Sequence, residues 1–388
     1  MSTTSPGIWQ RVRAGELRVL PVVGLLVLVW LVFQVINPVF LSSDNLVNLT
    51  QQSAVTGVIA LGVVVLLHVG QLDLSIGAVS GLAAAVTAVT SVHWGWSQGV
   101  AVLLALGVGL AVGLVYGFVH TRLGVPGFVF TLAGLLLVTG LQLRVLGPTG
   151  SINLPFESPL VHLSQRAFLA PAVSWTLVGL VASGYCAARL VERARRIRAD
   201  LPAQSLGALA ARCGALVALL AVAVAYLGTN RGVGVAFAVF VGLVAVVDFA
   251  LRRTRWGRSV RAVGGDADAA RKAGVPVRRV FLSAFVLSST MAAFGGVLAT
   301  GRLAAANQGT GDVELVLTAI AAAVIGGTSL FGGRGSAWSA LLGVLVVQSV
   351  STGVLLAGGD FAMRLVVTGL VFSVAIWLDA VARRARRG

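Results

Sequence analysis

The sequence predicts an all-α, polytopic membrane protein of about twelve transmembrane helices with both termini in the cytosol. Composition carries the first half of that reading. Of 388 residues, 57% are hydrophobic and only 11% charged, and the mean hydropathy is +0.95. Soluble domains average about 25% charged residues, so this chain lacks the polar surface to face water. The placement of the bases carries the second half. Of 29 Lys and Arg, 24 fall between apolar segments that an even number of crossings puts on one side. Arg144, Arg166, Arg231, Arg302 and Arg364 fall on the other. A net charge of +16 also marks nucleic-acid binders, but these charges punctuate spans as topology signals, so nucleic acid is not an expected partner.

Taken in order, the apolar segments run near 19–40, 52–69, 77–92, 99–119, 127–146, 169–188, 207–228, 232–251, 280–300, 315–327, 337–357 and 361–380. The first follows Arg11, Arg13 and Arg18 and is too long for a cleaved signal, so it reads as a retained helix with its amino end inside. Residues 175–228 hold two spans joined by a basic loop at 189–200, and read as an insertion without chemistry of its own. Three stretches resist assignment as spans: VGQLDLSIG at 69–77, a polar outer loop at 301–314, and GGTSLFGGRG at 326–335. Irregular backbone at membrane depth survives where it is buried in protein or lines a wet cavity. The first and third are therefore path-lining or gate candidates; close helix packing around glycine is the other reading.

The most charged stretch, 252–279, holds nine Arg or Lys and the chain's only lysine, Lys272. Within it, Gly264 and Gly265 precede Asp266 as an N-cap, Asp268 falls in a first turn, Arg271 and Lys272 close a last turn, and Gly274 and Pro276 stop the helix. It reads either as a docking helix on the cytosolic face or as a basic loop that only sets orientation.

Several chemistries are excluded. A nucleotide-binding P-loop needs Gly-Lys-Ser/Thr, and Lys272 lies between Arg271 and Ala273, so any ATP is bound by another subunit. Ion carriers place carboxylates inside spans. Of 13 acids only Asp73 has an apolar surround, where it reads as a proton carrier or as a cap for the helix starting near Ser75. His68, His93, His120 and His162 lack metal-ligand spacing, Cys186 and Cys213 form no CxxC, and no GxSxG phrase occurs in a fitting context.

The phrases NLVNL at 45–49 with Gln51 and Gln52, DLSIG at 73–77, PGFVFTLAG at 126–134, GRSVRAVGG at 257–265, AARKAG at 269–274, Arg302-Leu303, AIAAAVIGGTSLF at 319–331 and GGRG at 332–335 follow one another along the chain. In this ordered set the chain resembles the permease subunit of bacterial ABC sugar importers, the branch that includes the ribose, galactose, arabinose and xylose systems. The paired middle spans make it most similar to the xylose-type permease. One phrase departs: the family's Glu-Leu-Asp before Ala-Ile-Ala-Ala reads Val316-Leu317-Thr318, with Glu314 displaced.

The resemblance implies a single permease domain over 1–388 of the ABC type II-like importer class, in the bacterial inner (cytoplasmic) membrane. It implies a homodimer or paired permease, a cytosolic ATPase dimer that binds ATP and Mg, and an extracytoplasmic sugar-binding protein. The chain itself would hold no cofactor or metal and catalyse nothing. Coupling to the ATPase would fall to Gly264, Gly265, Asp266, Asp268, Arg271, Lys272 and Gly274. An uncharged, hydroxyl-rich solute suits a path lined by Gln71, Asp73, Ser75, Phe128, Thr131, Asn307, Gln308, Thr318, Thr328 and Ser329. A monosaccharide, foremost a pentose such as D-xylose, is the expected cargo; an ion-coupled carrier using Asp73 is the alternative.

Overall fold

The computed structural model describes residues 19–384, so Arg11, Arg13, Arg18, Arg386 and Arg387 lie outside the described residues. The order is α1 (Val19–Ile36), α2 (Ser43–His68), α3 (Ile76–His93), α4 (Gln98–Leu123), α5 (Gly127–Leu146), β1 (Ser151–Asn153), α6 (Pro159–Val161), α7 (Pro171–Arg198), α8 (Leu206–Gly228), α9 (Val235–Arg253), α10 (Arg255–Gly265), α11 (Ala267–Lys272), α12 (Val277–Leu303), β2 (Ala305–Asn307), α13 (Val313–Ile325), α14 (Trp338–Leu356) and α15 (Phe361–Arg384). Among the described residues, nine helices are long and apolar enough to cross a membrane, and three apolar helices are shorter, Leu20–Ile36, Val313–Ile325 and Phe361–Val374. Together they fall on the twelve predicted segments.

Small residues decide which helices sit at the centre. In α2 and α3, 83% and 78% of the spanning residues are buried, against 11% in α7 and 6% in α8. The first pair with α12 forms the core, and the α7–α8 hairpin lies at its edge. Gly109, Gly113 and Gly117, four apart on α4, face α12; a Cβ at Gly113 would stand 2.6 Å from the Val286 Cα. With no hydrophobic drive between helices inside a bilayer, such close backbone approach is what holds them together.

The sequence reading needs four corrections. The helix predicted at 52–69 starts at Ser43, where the Ser42 hydroxyl accepts from the Asn45 amide at 3.3 Å. The loop predicted at 189–200 is mostly helix, because α7 runs on to Arg198 in an Ala, Glu and Arg sequence that favours helix after hydropathy has ended. The outer loop predicted from 301 begins later: α12 continues to Leu303, and Ala305–Asn307 pairs antiparallel with Ser151–Asn153. Lastly, Gly264 and Gly265 do not precede a lone helix but end a separate one, α10, capped by Thr254.

Long-range contacts define two ends. At one, Arg252 donates to Ser336 just after the 326–335 loop, and Gly333 of that loop donates to the His68 carbonyl at the close of α2; this is called the basic end. At the other, Gln51 accepts from Arg302 at 2.7 Å, the Leu154 amide donates to Ala304, and Leu169 donates to Val233.

Candidate functional site

At the basic end, α10 buries Gly257, Val260 and Val263 and exposes Arg255, Arg258 and Arg261. The Asp266 carboxylate then caps α11, accepting from the amides of Asp268 and Ala269, both at 2.9 Å. The helix buries Ala270 and exposes Asp268, Arg271 and Lys272, with Arg271 donating to Asp268 at 2.6 Å. Gly274, at φ +82°, ends it in the left-handed region that glycine enters freely. The Asp268–Arg271 pair is exposed and adds about 0–1 kcal/mol, so this surface is available rather than spent on holding the fold.

Gly264 joins that surface to the interior. Its Cα packs on the His68 carbonyl at the end of α2, and a Cβ there would stand 2.6 Å from the Gly333 amide. That amide donates to the His68 carbonyl at 3.0 Å. Gly332 lies against the Gly264 carbonyl and against Gly70. The His68 side chain is buried; Nδ1 bonds the Val64 carbonyl at 2.7 Å and the Gly335 backbone is a second partner. Thr328 is buried beside Gly335 with its hydroxyl unpartnered, and Ser329 accepts from the Phe331 amide at 3.2 Å. The two glycine-rich breaks, 69–77 and 326–335, thus meet the end of α10 at one junction.

Deeper in, the 69–77 break is held by a buried polar chain. The Asp73 Oδ1 accepts from the Ser75 amide at 2.8 Å and from the Ser75 hydroxyl at 2.7 Å; Oδ2 has no partner. The Tyr116 hydroxyl stands 2.8 Å from Ser75 Oγ, and Thr131 accepts from the Leu74 amide at 3.1 Å. Gln71 faces Gly127 at the start of α5. Gln71, Asp73, Ser75 and Thr131 are therefore brought together. Phe128 is not with them: its side chain is exposed on α5. Tyr116 escaped the sequence reading, although it is one of only three tyrosines in the chain.

Asn307 and Gln308 lie in a second place. The Gln142 side chain, buried on α5, donates to the carbonyls of Asn307 at 3.1 Å and Thr310 at 2.9 Å. This draws the 307–312 segment inward until Gly77, at the start of α3, would meet the Gly311 carbonyl at 2.8 Å through an added Cβ. There α13 begins, capped by Asp312 accepting from Leu315 at 3.0 Å. The α3 and α13 helices thus start side by side, with Gln308, Asp312, Val313 and Leu317 exposed and Thr318 half-buried along α13. Helix N-termini meeting at a break present amides and partial positive charge to a polar solute. Gln142, an amide in an apolar span, was the signal for this arrangement. The displaced Glu314 accepts from Arg364 at 2.7 Å. Among the described residues no His, Cys, Asp or Glu cluster could hold a metal ion.

The family described as branched-chain amino acid transport system / permease component matches residues 45–376. The chain is 28% identical over 385 residues to the xylose transport system permease protein XylH of Escherichia coli (strain K12), covering 99% of this chain and 97% of that protein. It is 28% identical over 350 residues to the fructose import permease protein FrcC of Rhizobium meliloti, covering 89% and 80%. It is 29% identical over 362 residues to the ribose import permease protein RbsC of Bacillus subtilis (strain 168), covering 92% and 91%. No solved structure matches the chain. The matched stretch runs from within α2 into α15 and takes in both the junction and the paired helix starts. The chain is a multi-pass membrane protein that belongs to the branched-chain amino acid transport system permease-component family.

Proposed function

We propose that this chain is the membrane-spanning permease subunit of an ATP-driven importer for a monosaccharide, foremost a pentose such as xylose, with ATP hydrolysed by a separate cytosolic subunit. The observation that carries the reading is the junction at Gly264. It sets the end of α10, joined through Asp266 to the exposed, capped α11, against the two breaks of the membrane interior, so a push on α11 would reach the path through α10 as a rigid-body movement. The chain's only lysine lies outside any P-loop, in keeping with an energy source on another subunit. Sugars are uncharged, and the breaks offer hydroxyls, amides and helix N-termini beside one exposed cation, Arg334. A relative named for xylose aligns over nearly its whole length, the α7–α8 region included, which favours a pentose. The partners on this reading are a second permease copy, a pair of ATPases and an external sugar-binding protein.

Co-expression with a candidate ATPase, co-purification, and uptake of labelled xylose, ribose and fructose into vesicles test the reading. ATP-dependent uptake that needs both proteins is expected; uptake by this chain alone would overturn it. A second reading, ion coupling, is favoured by the buried Asp73 Oδ2 without a partner. It requires uptake to collapse when the ion gradient is removed while ATP remains.

A further inference from the structure

We propose that the basic end of the α7–α8 hairpin holds the phosphate headgroup of an anionic phospholipid against α9. This reading does not depend on the transported solute.

The hairpin is fastened unevenly. At the opposite end it is tied to the bundle. Phe168 bridges Gly234, and Leu169 and Val235 exchange backbone bonds with Val233 and Ala167. Tyr226 donates to the Leu41 carbonyl at 2.9 Å, and Arg231 pairs with Asp44 at 2.8 Å. At the basic end, a cavity of 570 Å³ separates α7 from the end of α9. That volume falls within the range of about 300–1,000 Å³ usual for ligand sites.

The lining fits a headgroup with part of its acyl region. Arg195, Arg196 and Arg253 supply three cations, while Val191 and Leu201 supply an apolar wall. Glu192 also lines the cavity, but its carboxylate is engaged by Arg189 at 3.1 Å and Arg196 at 3.5 Å. Arg195 and Arg253 have no carboxylate partner among the described residues. The neighbouring Arg252 shows the contrast, since it turns away to Asp248 at 2.8 Å and to Ser336 at 3.0 Å. Two unpaired arginines therefore converge on one open space from different helices. A guanidinium pair of this kind matches phosphate oxygens by forked hydrogen bonds. Because α7 and α8 are almost wholly unburied along their spanning length, a lipid lying against them would bring its headgroup to the cavity at their basic end. Basic pockets between helices on the cytosolic side are where anionic headgroups lodge.

The test uses the full-length chain, purified in detergent, stripped of lipid and titrated with phosphatidylglycerol, phosphatidylcholine, glycerol 1-phosphate or inorganic phosphate. Thermal unfolding and native mass spectrometry are the readouts. A saturable rise in the unfolding midpoint with phosphatidylglycerol, and none with phosphatidylcholine or the two soluble phosphates, is expected. Arg195→Ala with Arg253→Ala weakens that apparent affinity roughly twenty-five-fold, at about a fivefold loss for each arginine. Arg195→Lys with Arg253→Lys keeps the charges but not the fork, so its affinity falls between wild type and the double alanine, a graded loss that separates lost binding from lost folding. Arg122→Ala, on the same face but outside the cavity, leaves it unchanged. An equal effect of inorganic phosphate, or an equal loss in Arg122→Ala, overturns the site. So does a double-alanine variant that binds lipid normally but loses a co-purified ATPase, which would make the arginines a protein contact.

Discussion

Adding a single methyl group at Gly264 probes the junction without touching any charge. In Gly264→Ala the new Cβ would fall on the His68 carbonyl oxygen and within 2.6 Å of the Gly333 amide nitrogen. Neither neighbour is the tip of a flexible side chain; both are backbone held at the ends of packed segments. Relief requires α10 to lift away, which breaks the 3.0 Å bond from Gly333 to His68. Overpacking costs about 1–3 kcal/mol and the lost hydrogen bond about 0.5–1.5 kcal/mol, so the closed junction loses about 2–4 kcal/mol. Gly265 supplies the internal control, because a Cβ there meets nothing within 4 Å. With the chain co-expressed with its ATPase, Gly264→Ala is expected to insert and associate normally. Vesicle uptake is expected to fall by a factor of about 30 or more, the equivalent of about 2 kcal/mol. Gly265→Ala is expected to stay near wild type. Equal uptake by the two variants would refute the argument that force reaches the breaks through Gly264.

Three further outcomes follow from the same geometry. Asp268→Arg combined with Lys272→Glu reverses the exposed charges of α11 and should abolish co-purification of the ATPase while membrane insertion stays intact. Asp73→Asn keeps an oxygen that can accept from the Ser75 amide, so ATP-driven uptake should stay within about tenfold of wild type and should not follow a proton gradient; complete loss would favour ion coupling. Gln142→Leu leaves the Thr310 carbonyl without its donor and the Asn307 carbonyl with the Thr310 amide alone, and should lower stability by about 1–3 kcal/mol, read from thermal unfolding of the purified chain.

Much of this arrangement was legible in the sequence because it is written in local chemistry. Hydropathy located the spans, and Asp266, Gly274 and Pro276 marked both ends of α11, since caps act on their own neighbours. The breaks at 69–77 and 326–335 stood out for the same reason. Their meeting did not, because it depends on a glycine in α10 pressed against a carbonyl nearly two hundred residues earlier. Hydropathy also hid the end of α7, where arginines and a glutamate continue a helix that leaves the apolar layer. Gln142 and Tyr116 were visible as polar groups in apolar helices, but their partners come from other helices, and one sequence carries no record of that pairing. Phe128 shows the limit from the other side: the phrase around it was correctly placed, yet only the packing of α5 decides that its ring faces outward.

The ribbon of β1 and β2 bears on how the chain is assembled. Its two strands lie roughly 150 residues apart, and everything from α6 to α12 is an excursion between them. During synthesis β1 therefore waits, unpaired, until α12 has emerged. The same geometry makes the length of the excursion almost free to vary. Closure entropy grows only with the logarithm of loop length, so inserting the α7–α8 hairpin adds about 0.4 kcal/mol to closing the ribbon. A pair of spans gained or lost at that position would leave the junction, the breaks and the paired helix starts where they are, making it a place where such a bundle can lengthen without being redesigned.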